Sequence, residues 1–127
     1  MTGSKQPILI DSSGWLEYLT AGPKADPYAK HFTSDRTLLV PAIVIYEVTK
    51  ILLRKHSKTA ADAFLSQALR HTVVSFDEQL ALSAASFSLQ YHLPMADAIV
   101  YASAVSRGAL LLVSDQHFSK IPGVLLI

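Results

Sequence analysis

Leu93 to Phe118 reads LPMADAIVYASAVSRGALLLVSDQHF, and this stretch decides the fold. Pro94 opens a helix, Gly108 closes it, and Leu110-Leu111-Leu112-Val113 is an apolar run whose only reading is a buried strand. The acids here are Asp97, one turn into a helix otherwise apolar, small or aromatic from Met95 to Val105, and Asp115, just beyond the strand. A buried carboxylate without a partner costs several kcal/mol. No Lys or Arg stands on that helix before Arg107, so Asp97 points to a bound cation.

The rest of the chain repeats the strand-then-helix pattern. Pro7-Ile8-Leu9-Ile10 is an apolar run without alternation, as expected of a strand covered on both faces, and it ends at Asp11. Ser12 and Ser13 are candidate caps for a helix over 14–20, and a second short helix is expected over 25–32. Leu38-Leu39-Val40 is the second strand, with Pro41 expected as the first residue of a helix to about Lys55. The inward stripe of that helix is Ile43, Val44, Glu47, Val48, Ile51 and Leu52, which sets Glu47 in a core face. A helix opened by Ser57 packs through Ala63, Phe64, Ala68 and Leu69. Residues 72–76 are the third strand, followed by a helix from Asp77 to about Tyr91 with Leu80, Ala84, Phe87 and Leu89 on its apolar side. Residues 124–127 are a fifth apolar run suited to a sheet edge.

Short apolar strands alternating with helices predict an α/β fold with a mostly parallel sheet, organised as a single domain over 1–127. Of the 127 residues, 50% are hydrophobic and 17% charged, which excludes a disordered chain. There is no Cys, which excludes disulfides, thiolate catalysis and Cys-based metal sites. A formal charge of +1 gives no bulk attraction for polyanions, so nucleic-acid binding needs a local patch. Arg54, Lys55, His56 and Lys58 form a basic cluster at a helix end, readable as a solvated cap or as a phosphate contact. No segment has the length of a membrane span and the first residues lack a signal-peptide core, so a cytoplasmic protein is expected.

In an open parallel sheet, ligands bind at the carboxyl ends of the strands. Asp11 and Asp115 follow strands one and four, while Glu47 and Asp97 lie on helices that leave strand two and enter strand four. If those strands are neighbours, four carboxylates converge. Read singly, Asp11 and Asp115 could be caps, Glu47 half of an ion pair and Asp97 a first-turn acid favoured by the helix dipole. Together they need a hard divalent cation, and oxygen ligation favours Mg²⁺ or Mn²⁺ over zinc. Such a cation holds a phosphate oxygen and activates water, which suits phosphodiester hydrolysis.

The ordered set IDSS after strand one, PAIVIYEV, LPMADAIVYASA and GALLLVSDQHF resembles the PIN-domain ribonucleases, nearest to the VapC-type toxins of toxin–antitoxin pairs. The resemblance implies a three-layer α/β/α domain around a five-stranded sheet, and a Mg²⁺- or Mn²⁺-dependent endoribonuclease. It further implies RNA as substrate, a cognate antitoxin that inserts into the site, and a homodimer. Carried over by motif, Asp11, Glu47, Asp97 and Asp115 are the metal-binding, catalytic carboxylates, and Ser13 orients a ligand or a water. Relatives often carry a Thr two residues before the last acid, where this chain has Val113, which leaves Ser114 as the nearby hydroxyl. His117 stands where some relatives carry a further acid. The alternative is a catalytically silent PIN module that binds RNA or a protein. A receiver-like phosphatase is disfavoured because no strand ends in Lys, and nucleotide-binding folds because no GxGxxG or GxxxxGK[ST] follows a strand. Tyr46 and Tyr101, neighbours of the candidate site acids in sequence, are candidates for stacking on a base, and Trp15 and Tyr18 for core or dimer surface.

Overall fold

The computed structural model describes residues 5–127. Its strands are β1 (Ile8–Ile10), β2 (Leu38–Pro41), β3 (Thr72–Val74), β4 (Leu110–Val113) and β5 (Val124–Leu126). The helices are α1 (Ser12–Leu19), α2 (Ala25–Phe32), α3 (Ala42–Lys55), α4 (Lys58–Ala68), α5 (Glu78–Tyr91) and α6 (Met95–Ser106), with a 3₁₀ turn at Gln116–Phe118. The five strands form one sheet in the order β3-β2-β1-β4-β5. Every pairing is parallel, including the edge strand β5, so the sheet is parallel throughout rather than mostly so.

Successive strand residues point to opposite faces. Ile8, Leu9 and Ile10 are all buried to 1% exposure or less, so helices cover both faces of the centre and the α/β/α layering follows. Trp15 belongs to this core, edge-on to Phe32 and Phe64, while half-buried Tyr18 stacks on Phe32. No helix among the described residues is long and apolar enough to cross a membrane.

Several boundaries depart from the sequence reading for local reasons. Asp11, not Ser12 or Ser13, is the N-cap of α1: its carboxylate accepts from the Gly14 N–H, and both serines fall inside the first turn. Pro41 ends β2 and caps α3 rather than opening it, its ψ of 147° being extended. Strand β3 stops at Val74, and Phe76 is exposed, because an edge strand lacks a second partner to extend it. Ala63, Leu69 and Leu89 face solvent instead of packing; Ala61 takes the inward position on α4. Tyr101 is buried, with its hydroxyl donating to the Pro122 carbonyl at 2.8 Å, and is therefore removed from any stacking role.

Candidate metal and phosphate site

The strand order reverses at β1, with β2 on one side and β4 on the other, which makes the crevice above the β1 and β4 carboxyl ends the expected ligand position. Ile10 pairs with Leu112, and the Asp11 N–H donates to the Leu112 carbonyl at 3.3 Å, so the two strand ends are level. Asp11 and Asp115 are delivered there by the strands. The other two acids come from helices: α3 leaves β2, and α6 packs against α3, β2 and β4. A tight turn ends α5 at His92, whose left-handed φ of 57° lets α6 begin three residues later at Met95. That turn sets Asp97 in the first turn of α6, close to the strand ends.

All four acids line one cleft of about 440 Å³, together with Ser12, Ser13, Val100 and Ser114. No Lys or Arg lines it. Among the described residues, none of Asp11, Glu47 and Asp97 forms an ion pair, and Asp115 pairs only with His117, whose Nδ1 lies 3.1 Å from its Oδ1. Asp97, Asp115 and His117 each offer one ligand atom, all within 4.8 Å of one another. The tightest group therefore includes an imidazole that the four-acid reading left out, while Asp11 and Glu47 line the same cleft outside that group.

The capping readings of Asp11 and Asp115 hold alongside their place in the cleft. Asp115 caps the 3₁₀ turn by accepting from the His117 N–H at 2.9 Å, which fixes the carboxylate over the strand end. Asp11 caps α1 and also accepts from the Ser13 hydroxyl at 2.9 and 3.1 Å. Glu47 is not half of a Lys or Arg pair; its Oε1 accepts from the Ser12 hydroxyl at 2.6 Å.

Burial raises the Asp11 carboxyl from 3.8 to about 6, even though the Gly14 N–H and Ser13 hydroxyl pull it down; the Asp97 and Glu47 charges add to the rise. Asp97 is also raised, first by burial and then by Asp115 and Glu47, with His117 opposing. Both shifts record unneutralised negative charge held away from water. A cluster of carboxylate oxygens and one imidazole, with no protein cation facing them, fits a hard divalent cation.

Two polar groups of the site escaped the sequence reading. Ser12 looked like a cap, and nothing in its position announced a bond to a residue 35 places away. Tyr28, on α2, is buried with its hydroxyl 2.7 Å from Ser114 Oγ, forming a floor beneath the cleft. Ser114 thus spends one hydrogen bond on Tyr28, and Val113 is a core residue that turns no group toward the acids.

A model of the PIN domain matches residues 8–124. The chain belongs to the PIN-domain family. No curated protein sequence matched it. Among solved structures, it is similar to a toxin–antitoxin complex from Klebsiella pneumoniae, at 18% identity and a TM-score of 0.79, covering 93% of this chain and 95% of that one. It is similar to VapC20 of Mycobacterium tuberculosis, a sarcin–ricin-loop-cleaving toxin, at 20% identity and 0.77, covering 92% and 96%. It is also similar to a DNA-bound VapBC from Salmonella typhimurium, at 15% identity and 0.76, covering 97% and 98%. At these identities the likeness is one of fold.

Proposed function

We propose that this PIN-domain chain is a divalent-metal-dependent endoribonuclease and the toxin half of a toxin–antitoxin pair. The observation that carries the reading is a cleft lined by Asp11, Glu47, Asp97 and Asp115 with no Lys or Arg facing them. In this reading Asp97 and Asp115 would hold Mg²⁺ or Mn²⁺, with His117 beside them, and Asp11 and Glu47 would complete the acidic wall. The cation would neutralise the phosphate and activate a water for in-line attack.

The protein's own share is preorganisation. Asp115 is pinned by the His117 N–H and Asp11 by the Gly14 N–H and Ser13 hydroxyl. Ser12 fixes one Glu47 oxygen. These bonds hold the carboxylates in place before any phosphate enters, so little reorganisation accompanies the reaction. The resemblance to PIN-domain ribonucleases implies a 5′-phosphate and a 3′-hydroxyl as the products.

Toxin–antitoxin complexes among the solved structures of the same fold support a cognate antitoxin as partner. The same reading takes the protein as a cytoplasmic, single-domain unit over 1–127 that forms a homodimer. The deciding experiment is cleavage of a mixed RNA substrate with Mn²⁺, then with EDTA, by the wild type and by Asp97→Asn. Cleavage that needs the metal and disappears in the folded variant is expected. Binding of RNA without any metal-dependent cleavage would instead mark a silent module.

A further inference from the structure

Glu47, Lys50 and Arg54 are spaced i, i+3 and i+7 along α3, so they form one stripe that begins in the acidic cleft and runs away from it. Tyr46 borders that stripe and is 59% exposed, and Lys50 Nζ lies 5.6 Å from the centre of its ring. Tyr46, Thr49, Lys50, Leu53 and Arg54 together line a shallow groove of about 500 Å³. Among the described residues, Lys50 and Arg54 enter no ion pair, whereas Lys5 and Lys58 are both committed to carboxylates. At a rise of 1.5 Å per residue, Arg54 lies roughly 10 Å beyond Glu47.

The pattern inverts the charge of the cleft within two helical turns. A polyanion whose one phosphate is drawn to a cation-loaded cleft meets free cations for the next phosphates and an aromatic face for a base. A single strand presents this combination, since a duplex hides its base faces. We propose that the Tyr46–Lys50–Arg54 stripe is the track for the single-stranded RNA that flanks the scissile phosphate. The track rests on the endoribonuclease reading for its purpose, although its binding can be measured without cleavage. A base stacks on Tyr46 and displaces the Lys50 ammonium onto a backbone phosphate, while Arg54 takes a phosphate further along. Leu53 supplies the apolar side of the groove against which a sugar or base edge rests.

The test is equilibrium binding of a fluorescein-labelled single-stranded oligoribonucleotide of mixed sequence, by anisotropy, in EDTA and over a range of salt. Tyr46→Ala is expected to weaken binding about fivefold to a hundredfold, from the loss of one stacked base, with Tyr46→Phe near wild type. Lys50→Glu and Arg54→Glu should each weaken it and flatten the dependence of log affinity on log salt by about 0.7 or more. All three positions are at the surface, so the melting temperature should not move. Unchanged affinity and salt slope in all three weakening variants overturn the track. So does a wild-type dimer, seen by sedimentation, that Tyr46→Ala or Leu53→Glu converts to a monomer, since the face would then belong to a second copy of the chain. Intact metal-dependent cleavage with unaltered binding in the variants defeats the track alone. Weakened binding with no cleavage by the wild type defeats the nuclease reading and leaves the track standing.

Discussion

The Ser12 hydroxyl donates to Glu47 Oε1 at 2.6 Å, tying the first turn of α1 to the middle of α3 across the cleft. The bond selects one orientation for a carboxylate that would otherwise sample several. Ser12→Ala should leave the fold within about 0.5 kcal/mol of wild type, because the residue is only part-buried. It should weaken Mn²⁺ binding by about tenfold, the scale seen when an outer partner of a ligand is removed. Titration of Mn²⁺ by electron paramagnetic resonance reads this directly, and an unchanged affinity would show that Glu47 is oriented by something else.

Asp11 makes the metal-free protein sensitive to pH. Its carboxyl is raised from 3.8 to about 6 on folding, so between these values the folded state binds more protons than the unfolded chain. Stability therefore falls as pH rises from about 4 to beyond 6, by an amount on the order of 3 kcal/mol if Asp11 acted alone. Urea melts in EDTA at pH 4.5 and pH 7.5 should show the higher midpoint at the lower pH. Asp11→Asn keeps a good N-cap and removes the charge, so its two midpoints should lie closer together. A wild type equally stable at both pH values would contradict the burial of that charge.

Most of the sheet was legible because β1, β2 and β4 are buried on both faces and so read as unbroken apolar runs. The four acids were legible because Glu47 and Asp97 interrupt apolar helix faces while Asp11 and Asp115 directly follow or adjoin the ends of buried strands. What failed was local. Ser12, Ser13 and Asp11 are all competent caps, and sequence offers no way to rank them when the winner is chosen by β1 ending one residue earlier. Ala63, Leu69 and Leu89 are apolar residues that turned outward, since periodicity is ambiguous by one position on helices with broad apolar faces. The bonds from Ser12 to Glu47 and from Tyr28 to Ser114 join residues 35 and 86 apart, a separation that only the assembled sheet closes.

Asp97 offers a separate test of cation binding that needs no substrate. Its carboxyl is raised by burial and by the charges of Asp115 and Glu47, so the metal-free protein carries repulsion at neutral pH. Asp97→Asn should melt higher than wild type in EDTA. Added Mg²⁺ or Mn²⁺ should raise the wild-type melting temperature, in proportion to the logarithm of metal concentration above Kd, and raise the variant's far less. Scanning calorimetry across a metal series checks both halves. Equal metal-induced shifts in the two proteins would remove Asp97 from the ion's surroundings.

Gly14 governs the floor of the cleft through Tyr28. A Cβ at position 14 would stand 2.6 Å from Tyr28 Cε1, 2.9 Å from its Cζ and 2.5 Å from Ile10 Cγ2. The ring is buried and held by its hydroxyl against Ser114, so it cannot yield without breaking that bond. Ser114 adjoins Asp115, and Gly14 lies in the turn whose N–H holds Asp11. Gly14→Ala should therefore cost about 1–3 kcal/mol through overpacking and displace both strand ends at once. Tyr28→Phe isolates the hydroxyl: it keeps the ring's packing, leaves Ser114 with one bond fewer, and should cost about 1 kcal/mol. Burial holds the Tyr28 phenol up at about 12, so the bond persists across the neutral range and the cost should not vary between pH 6 and 9. Urea denaturation of both variants, with Mn²⁺ affinity measured alongside, separates the two effects. Loss of metal affinity in Gly14→Ala with full affinity in Tyr28→Phe would show that backbone placement at β1, rather than the hydroxyl contact, sets the acids' geometry.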